Sequence, residues 1–227
     1  MPEVSDYMAF IRANTTFLRP PLVPGIELHL ADEAIPLWQK TEEELHCIGL
    51  PPPFWAFAWA GGQALARYVT DHPSIVCNRS VLDLASGSGV VAIAAAKARA
   101  GAVLASDIDS FAAAAIALNA ARNAVAVEVS TADLLTSKPP PFDVILVGDL
   151  FYEQPLAARL LPWLKAAGRR GSKILIGDPF RAYLPLGELD LLASYHVPVS
   201  RDLEDREICR TAVFRLRGAE IASVVNS

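Results

Sequence analysis

The chain has 227 residues, 52% apolar and 20% charged, enough to bury a large core and to exclude disorder as its main description. Lys and Arg number 20 against 25 Asp and Glu, a net charge of −5 that lacks the basic footprint of a protein built to hold nucleic-acid backbone. The length suits one domain with modest extensions.

No apolar run reaches the roughly 18 residues of a membrane span, so no membrane partner is expected. The first residues, MPEVSDYMAFIRANTTF, carry early acids and no long hydrophobic core, which reads as neither a secretory signal nor an organelle peptide. Cys47, Cys77 and Cys209 lie far apart with no CxxC spacing, the pattern of reduced thiols in an intracellular protein. His29, His46, His72 and His196 are scattered without ligand spacing, so no metal site is expected.

In chain order, residues 6–12 predict a short helix, residues 19–25 a proline-rich connector, and residues 26–30 a short strand. Thr41 and Glu44 resemble a capping box, and Pro51, Pro52 and Pro53 stop the helix it would open. Residues 54–59, Phe-Trp-Ala-Phe-Ala-Trp, pack four aromatics into six positions, followed by Gly61 and Gly62 and a helical run over 63–69. Residues 1–76 read as an N-terminal extension that docks on the core, and 77–227 as the main domain.

From residue 80 the rhythm becomes strand, helix, strand. Strands are predicted at 81–84, 102–106, 125–129, 142–147 and 173–177. Helices are predicted at 89–99, at 110–122 capped by Asp109 or Ser110, and at 154–167 ended by Gly168. Strands at 191–201 and 208–217, joined by a charged turn at 202–206, form a hairpin. The expected fold is α/β: a Rossmann-like doubly wound seven-stranded sheet, mostly parallel with a C-terminal antiparallel hairpin.

In such a sheet, ligands bind at the carboxyl ends of the strands where the strand order reverses. The loop after the first core strand reads Asp83-Leu84-Ala85-Ser86-Gly87-Ser88-Gly89, and its glycines allow close backbone approach to a ligand. Gly87 to Ala92 also fits the dinucleotide pattern G-x-G-x-x-A, which keeps an NAD-dependent oxidoreductase as a competing class. Asp83 separates the two: a carboxylate beside the glycines repels a pyrophosphate and attracts the ammonium and sulfonium of S-adenosylmethionine. Asp107 lies where a carboxylate accepts both ribose hydroxyls. Asp133 can accept from an adenine amino group while Ile108 and Leu134 sandwich the ring. Asp149 follows an apolar strand at the centre of the carboxyl edge, where a carboxylate is badly placed for stability alone; the plain alternative is a cap for the helix at Gln154. Leu150 and Phe151 stand where enzymes that methylate base amines carry Pro-Pro, which argues against a nucleobase substrate.

These residues resemble the seven-β-strand S-adenosylmethionine-dependent protein-lysine methyltransferases of family 16, whose DxxY motif matches Asp149 and Tyr152. The block Pro52-Pro53-Phe54-Trp55-Ala56-Phe57-Ala58-Trp59-Ala60-Gly61-Gly62-Gln63-Ala64-Leu65 is more specific. With Pro24-x-Ile26-x-Leu28-His29 and Gly177-Asp178-Pro179, it resembles the lysine methyltransferases of the electron transfer flavoprotein β subunit and their bacterial relatives.

The resemblance implies S-adenosylmethionine as cofactor, S-adenosylhomocysteine as product and no metal. It implies a protein substrate, the flavoprotein β subunit or else a ribosomal protein, methylated up to trimethyl-lysine. A small-molecule amine N-methyltransferase on the same fold is the alternative. The reaction would be cytoplasmic in a bacterium and in the mitochondrial matrix in a eukaryote. Asp149 and Tyr152 would be catalytic. Trp59, Asp83, Ser86, Gly87, Gly89, Asp107, Ile108, Asp133 and Leu134 would hold the donor, with Trp59 and a turn at Gly61-Gly62 at its methionine end. Trp55, Phe57 and Phe151 would face the methylated ammonium. Ala85 stands where many methyltransferases have glycine, which the loop accommodates if the residue keeps a negative φ.

Overall fold

The computed structural model describes residues 4–31, 53–198 and 208–218. The Thr41–Glu44 capping box, Pro51 and Pro52, and the charged turn at 202–206 lie outside the described residues. The elements are α1 (Val4–Asn14), β1 (Thr16–Leu18), β2 (Leu28–Leu30), α2 (Ala60–Asp71), β3 (Ser80–Leu84), α3 (Val90–Lys97), β4 (Ala102–Ser106), α4 (Ser110–Arg122), β5 (Glu128–Ser130), β6 (Val144–Gly148), α5 (Gln154–Arg169), β7 (Lys173–Asp178), β8 (Leu189–Pro198) and β9 (Ile208–Leu216). Among the described residues, no helix is long and apolar enough to cross a membrane.

Seven strands form one sheet in the order β5-β4-β3-β6-β7-β9-β8. β5, β4, β3, β6 and β7 run parallel, and β9 pairs antiparallel with both β7 and β8. This is the expected α/β sheet. The chain winds outward from β3 through β4 to β5, then returns to place β6 on the other side of β3, so the order reverses between β3 and β6. The carboxyl ends of these two strands therefore face the ligand crevice.

Strand residues alternate between two buried faces, which is why the strands read as continuous apolar runs. Val81, Val144, Leu146, Leu175 and Val213 join a core with residues of α2 and α3. Leu82, Ile145, Val147, Ile174, Ile176 and Phe214 join a second core with Leu160, Trp163 and Leu164 of α5. Val23, Ile26, Leu28 and Leu30 of the N-terminal segment sit in the same core as α2 and the sheet. β1, which has no clear sequence signal, pairs antiparallel with β2.

Several boundaries differ from expectation for local reasons. α2 begins at Ala60, so Gly61 and Gly62 form its first turn and not a separate turn. α5 runs through the buried Gly168 to Arg169, so that glycine packs inside the helix and does not end it. β5 starts three residues late because Val125 N–H still closes the end of α4 on the carbonyl of Ala120, with Ala124 left-handed at φ 53°. Ala85 has φ 54°, not the negative φ expected, at a cost of about 1 kcal/mol for a residue with a Cβ.

Candidate active site

The glycine loop leaves β3 with Ala85, Gly87 and Gly89 all left-handed, and Gly89 opens α3 at φ 82°. Asp83 does not project into the crevice as the charge argument requires. It is 1% exposed, and its Oδ2 accepts from Ser86 Oγ and from the N–H of Ala92, 3.0 Å away. Burial without a cation pushes its pKa up to about 7, partly offset by those two donors. Asp83 and Ser86 thus brace the loop from behind.

Asp107, at the end of β4, is the carboxylate that meets the loop from the front. Its Oδ2 accepts from Gly87 N–H (2.9 Å) and its Oδ1 from Asp109 N–H (3.1 Å), while burial raises its pKa. Asp109 caps α4 by accepting from Phe111 N–H, as the plainer sequence reading holds. Beside Asp107, Ile108 is 72% exposed, an aliphatic side chain held out at the crevice edge. Leu134 lies in a short 3-10 turn after β5, its carbonyl accepting from Trp163 Nε1 (3.0 Å). Asp133 is engaged locally: Oδ1 accepts from Leu135 N–H (3.0 Å) and Oδ2 pairs with Arg159 (2.8 Å). That geometry fits a turn-capping residue, and the adenine contact assigned to it would have to compete with Arg159.

Asp149 follows β6 with φ 56°, a strained backbone for a residue with a side chain, and its N–H donates to the carbonyl of Gly177 (2.9 Å). Its Oδ2 accepts from Gly62 N–H at the start of α2 (2.8 Å), and its Oδ1 pairs with Arg181 Nη2 (2.9 Å). Three glycines, Gly61, Gly148 and Gly177, make this possible. A Cβ on Gly61 would fall on the carbonyl of Gly177 and 2.6 Å from Asp149 Oδ2, and a Cβ on Gly148 would lie 3.1 Å from Gly62 Cα. A Cβ on Gly177 would collide with the carbonyl of Gly61. Only bare backbone lets the N-terminus of α2 sit on the ends of β6 and β7.

An aromatic cluster lies beside Arg181, the partner of this carboxylate. Trp59 Nε1 donates to the carbonyl of Phe54 (2.9 Å), and the Phe54 ring lies 6.0 Å from Trp59 and 5.9 Å from Tyr152. The Arg181 guanidinium lies 5.6 Å from the Trp59 ring centre. Tyr152 is partly exposed, and burial of its other side raises its pKa. The Phe54 carbonyl comes within 3.9 Å of where a Gly87 Cβ would stand, so the aromatic segment reaches the glycine loop.

Three substrate-facing assignments are corrected. Phe151 is fully buried in the core with Leu160 and Leu164 and touches no crevice. Trp55 is 2% exposed and stacks on Phe111 of α4 with centres 5.9 Å apart. Phe57 lies in that same buried cluster and meets the edge of Trp59 at 5.9 Å between centres. The exposed aromatic is Phe54, which the sequence groups with its neighbours without distinguishing it. Arg181 was missed altogether. Its only signal is its place after Gly177-Asp178-Pro179, in the loop that follows β7.

The family model for ribosomal protein L11 methyltransferase (PrmA) matches residues 64–151, from α2 to just past Asp149. In fold, the chain resembles magnesium protoporphyrin IX methyltransferase from Synechocystis PCC 6803, with a TM-score of 0.52 at 12% identity over 82% of this chain and 97% of that one. The electron transfer flavoprotein beta subunit lysine methyltransferase of Danio rerio is 37% identical over 217 residues, 92% of this chain and 83% of that protein. The Mus musculus protein of the same name is 37% identical over 85% of this chain and 77% of its own. The chain is therefore a member of the electron transfer flavoprotein beta subunit lysine methyltransferase family.

Proposed function

We propose that this chain transfers methyl groups from S-adenosylmethionine to the ε-amine of a lysine on the electron transfer flavoprotein β subunit, up to the trimethylated form. The observation that carries this reading is Asp149: a carboxylate fixed in strained backbone at the centre of the carboxyl edge, paired with an arginine whose guanidinium lies over the Trp59 ring. The names of the relatives support the choice of substrate.

The residues fit the donor. Asp107 offers a carboxylate to a ribose at the glycine loop, and the exposed Ile108 with Leu134 offers apolar surface to a purine. Gly87 and Gly89 keep the loop free of side chains where the donor would lie. The S-adenosylmethionine bound there supplies an electrophilic methyl on a positively charged sulfur.

The rest falls to the chain's own side chains. Methyl transfer is an in-line displacement, so the protein must align the amine and present it neutral; alignment alone contributes several kcal/mol. At pH 7, deprotonating a lysine of pKa about 10.4 costs about 4.6 kcal/mol. Asp149 by itself would favour the charged ammonium, so its role is to orient the incoming group and not to act as a strong base. The nearby Arg181 charge opposes that effect, and water takes the proton. Tyr152 borders the slot, and the Trp59 and Phe54 faces suit a methylated ammonium, a contact worth about 0.5–2 kcal/mol.

The test is incubation of the full chain with methyl-labelled S-adenosylmethionine, the unmethylated flavoprotein β subunit and a pool of small amines. The expected result is label on a lysine of the protein. Label confined to the small amines would favour the small-molecule reading and overturn this one.

A further inference from the structure

We infer that Arg181 sets specificity: its guanidinium holds the seat assigned above to the substrate ammonium, and only a substrate that also docks on the protein surface displaces it, toward the buried carboxylate of Asp178. The inference rests on the reading of Asp149 as the lysine-orienting group.

A carboxylate oxygen beneath an aromatic face is the chemistry that recognises an alkylammonium. Arg181 already meets both halves of it, pairing with Asp149 Oδ1 at 2.9 Å and lying 5.6 Å from the Trp59 ring centre. Its side chain is 21% exposed and that of Asp149 10%, so water screens the pair poorly. Two cations at one oxygen repel, and lysine and guanidinium therefore contend for the same place.

The backbone around Arg181 is fixed. Phe180 is left-handed at φ 65°, its ring meets Phe214 edge-on at 5.7 Å, and Arg210 lies 5.2 Å from its centre. The N–H of Arg181 donates to Asp178 Oδ1 at 2.7 Å. The pair between the guanidinium and Asp149 is thus what a second cation contests. Asp178 offers the displaced guanidinium a destination: the residue is fully buried, and its Oδ2 has no hydrogen-bond partner among the described residues. A buried carboxylate oxygen with no donor is costly unless it serves something.

Displacing Arg181 costs a free amine the full energy of the pair, whereas a docked protein surface that contacts the partly exposed guanidinium in its displaced position offsets that cost. A protein contributes a docking surface beyond its lysine, whereas a free amine contributes only the contact that Arg181 already makes. Arg181 therefore discriminates against small amines.

The experiment compares kcat/KM for N-acetyl-lysine methylamide and for the flavoprotein β subunit in wild type, Arg181→Gln and Arg181→Lys. Arg181→Gln is expected to raise the small-amine to protein ratio at least tenfold, chiefly by lowering the small-amine KM, with donor affinity by calorimetry unchanged. Arg181→Lys, which keeps a cation in the seat, is expected to retain most of the wild-type ratio. An unchanged ratio in Arg181→Gln, or equal loss of both activities, overturns the inference. Asp178→Asn gives an independent reading should Arg181→Gln not fold: the protein KM is expected to rise severalfold, and an unchanged KM overturns the role of Asp178. Asp149→Asn separates the two levels. Full activity on protein in that variant sinks the reading of the site itself, whatever Arg181 does.

Discussion

A carboxylate buried with hydroxyl and amide donors but no cation holds its proton unusually long, and Asp83 is such a group. Its pKa of about 7 lies above the roughly 3.9 of an unfolded chain, so between these values the folded protein keeps a proton that the unfolded chain has released. Stability due to this residue therefore falls as pH rises from about 4 to about 7, then levels off. In Asp83→Asn the amide oxygen can still accept from Ser86 and Ala92 without that penalty. The variant is expected to gain stability over wild type across this window, by about 1.4 kcal/mol or more at pH 8, with the gap closing near pH 4. Thermal melts across pH check this, and a pH-independent gap would refute the assignment. Donor affinity should change less than threefold, because Asp83 braces the loop and Asp107 faces the crevice. This is where sequence reading reached its limit. It locates both carboxylates, but which one turns inward depends on the path of the loop, set by left-handed residues that include Ala85. Phe54, Trp55 and Phe57 raise the same difficulty: a short 3-10 turn sends Trp55 inward and Phe54 outward, and irregular backbone has no period to read.

At the level of elements, the alternation of strands and helices from β3 to β7 was largely legible, because β3, β4, β6 and β7 are mostly apolar and α3, α4 and α5 stand between strands at helical length. The junction of α2 with the sheet was not. Two adjacent glycines read as a turn, yet here they are the first turn of a helix pressed onto the ends of β6 and β7. Nothing local marks that, since the reason lies in Gly148 and Gly177 more than eighty residues away. Gly61→Ala should push α2 off the sheet and break the Gly62 to Asp149 hydrogen bond. The expected cost is about 1–3 kcal/mol, or roughly 2–4 °C of melting temperature per kcal/mol, together with loss of most turnover. Gly187→Ala is the control, because a Cβ there meets nothing within 4 Å and should change neither quantity. Similar melts for the two variants would show that the contact is not confining. Arg181 escaped sequence reading for the related reason that its partner sits just past the end of β6, thirty-two positions earlier.

Across the whole molecule, the N-terminal segment and the donor crevice are joined through one buried side chain. Asn119 of α4 is fully buried, accepts from His29 N–H of β2 (2.7 Å), and donates to the carbonyl of Ser88 in the glycine loop (2.8 Å). Asn119→Ala would strand both backbone groups, costing about 1–3 kcal/mol each. It is expected to lower the melting temperature by several degrees and to weaken donor binding measurably by calorimetry, although Asn119 lies behind the loop. Loss of stability with donor affinity intact would show that the two ends are independent.

The most direct test of the central claim is intact-mass and peptide mass spectrometry of the flavoprotein β subunit after incubation with S-adenosylmethionine and either wild type or Asp149→Ala. Wild type is expected to give successive 14 Da additions on lysine, and Asp149→Ala to lose nearly all of them while still binding the donor. Methylation by Asp149→Ala at the wild-type rate would contradict the claim.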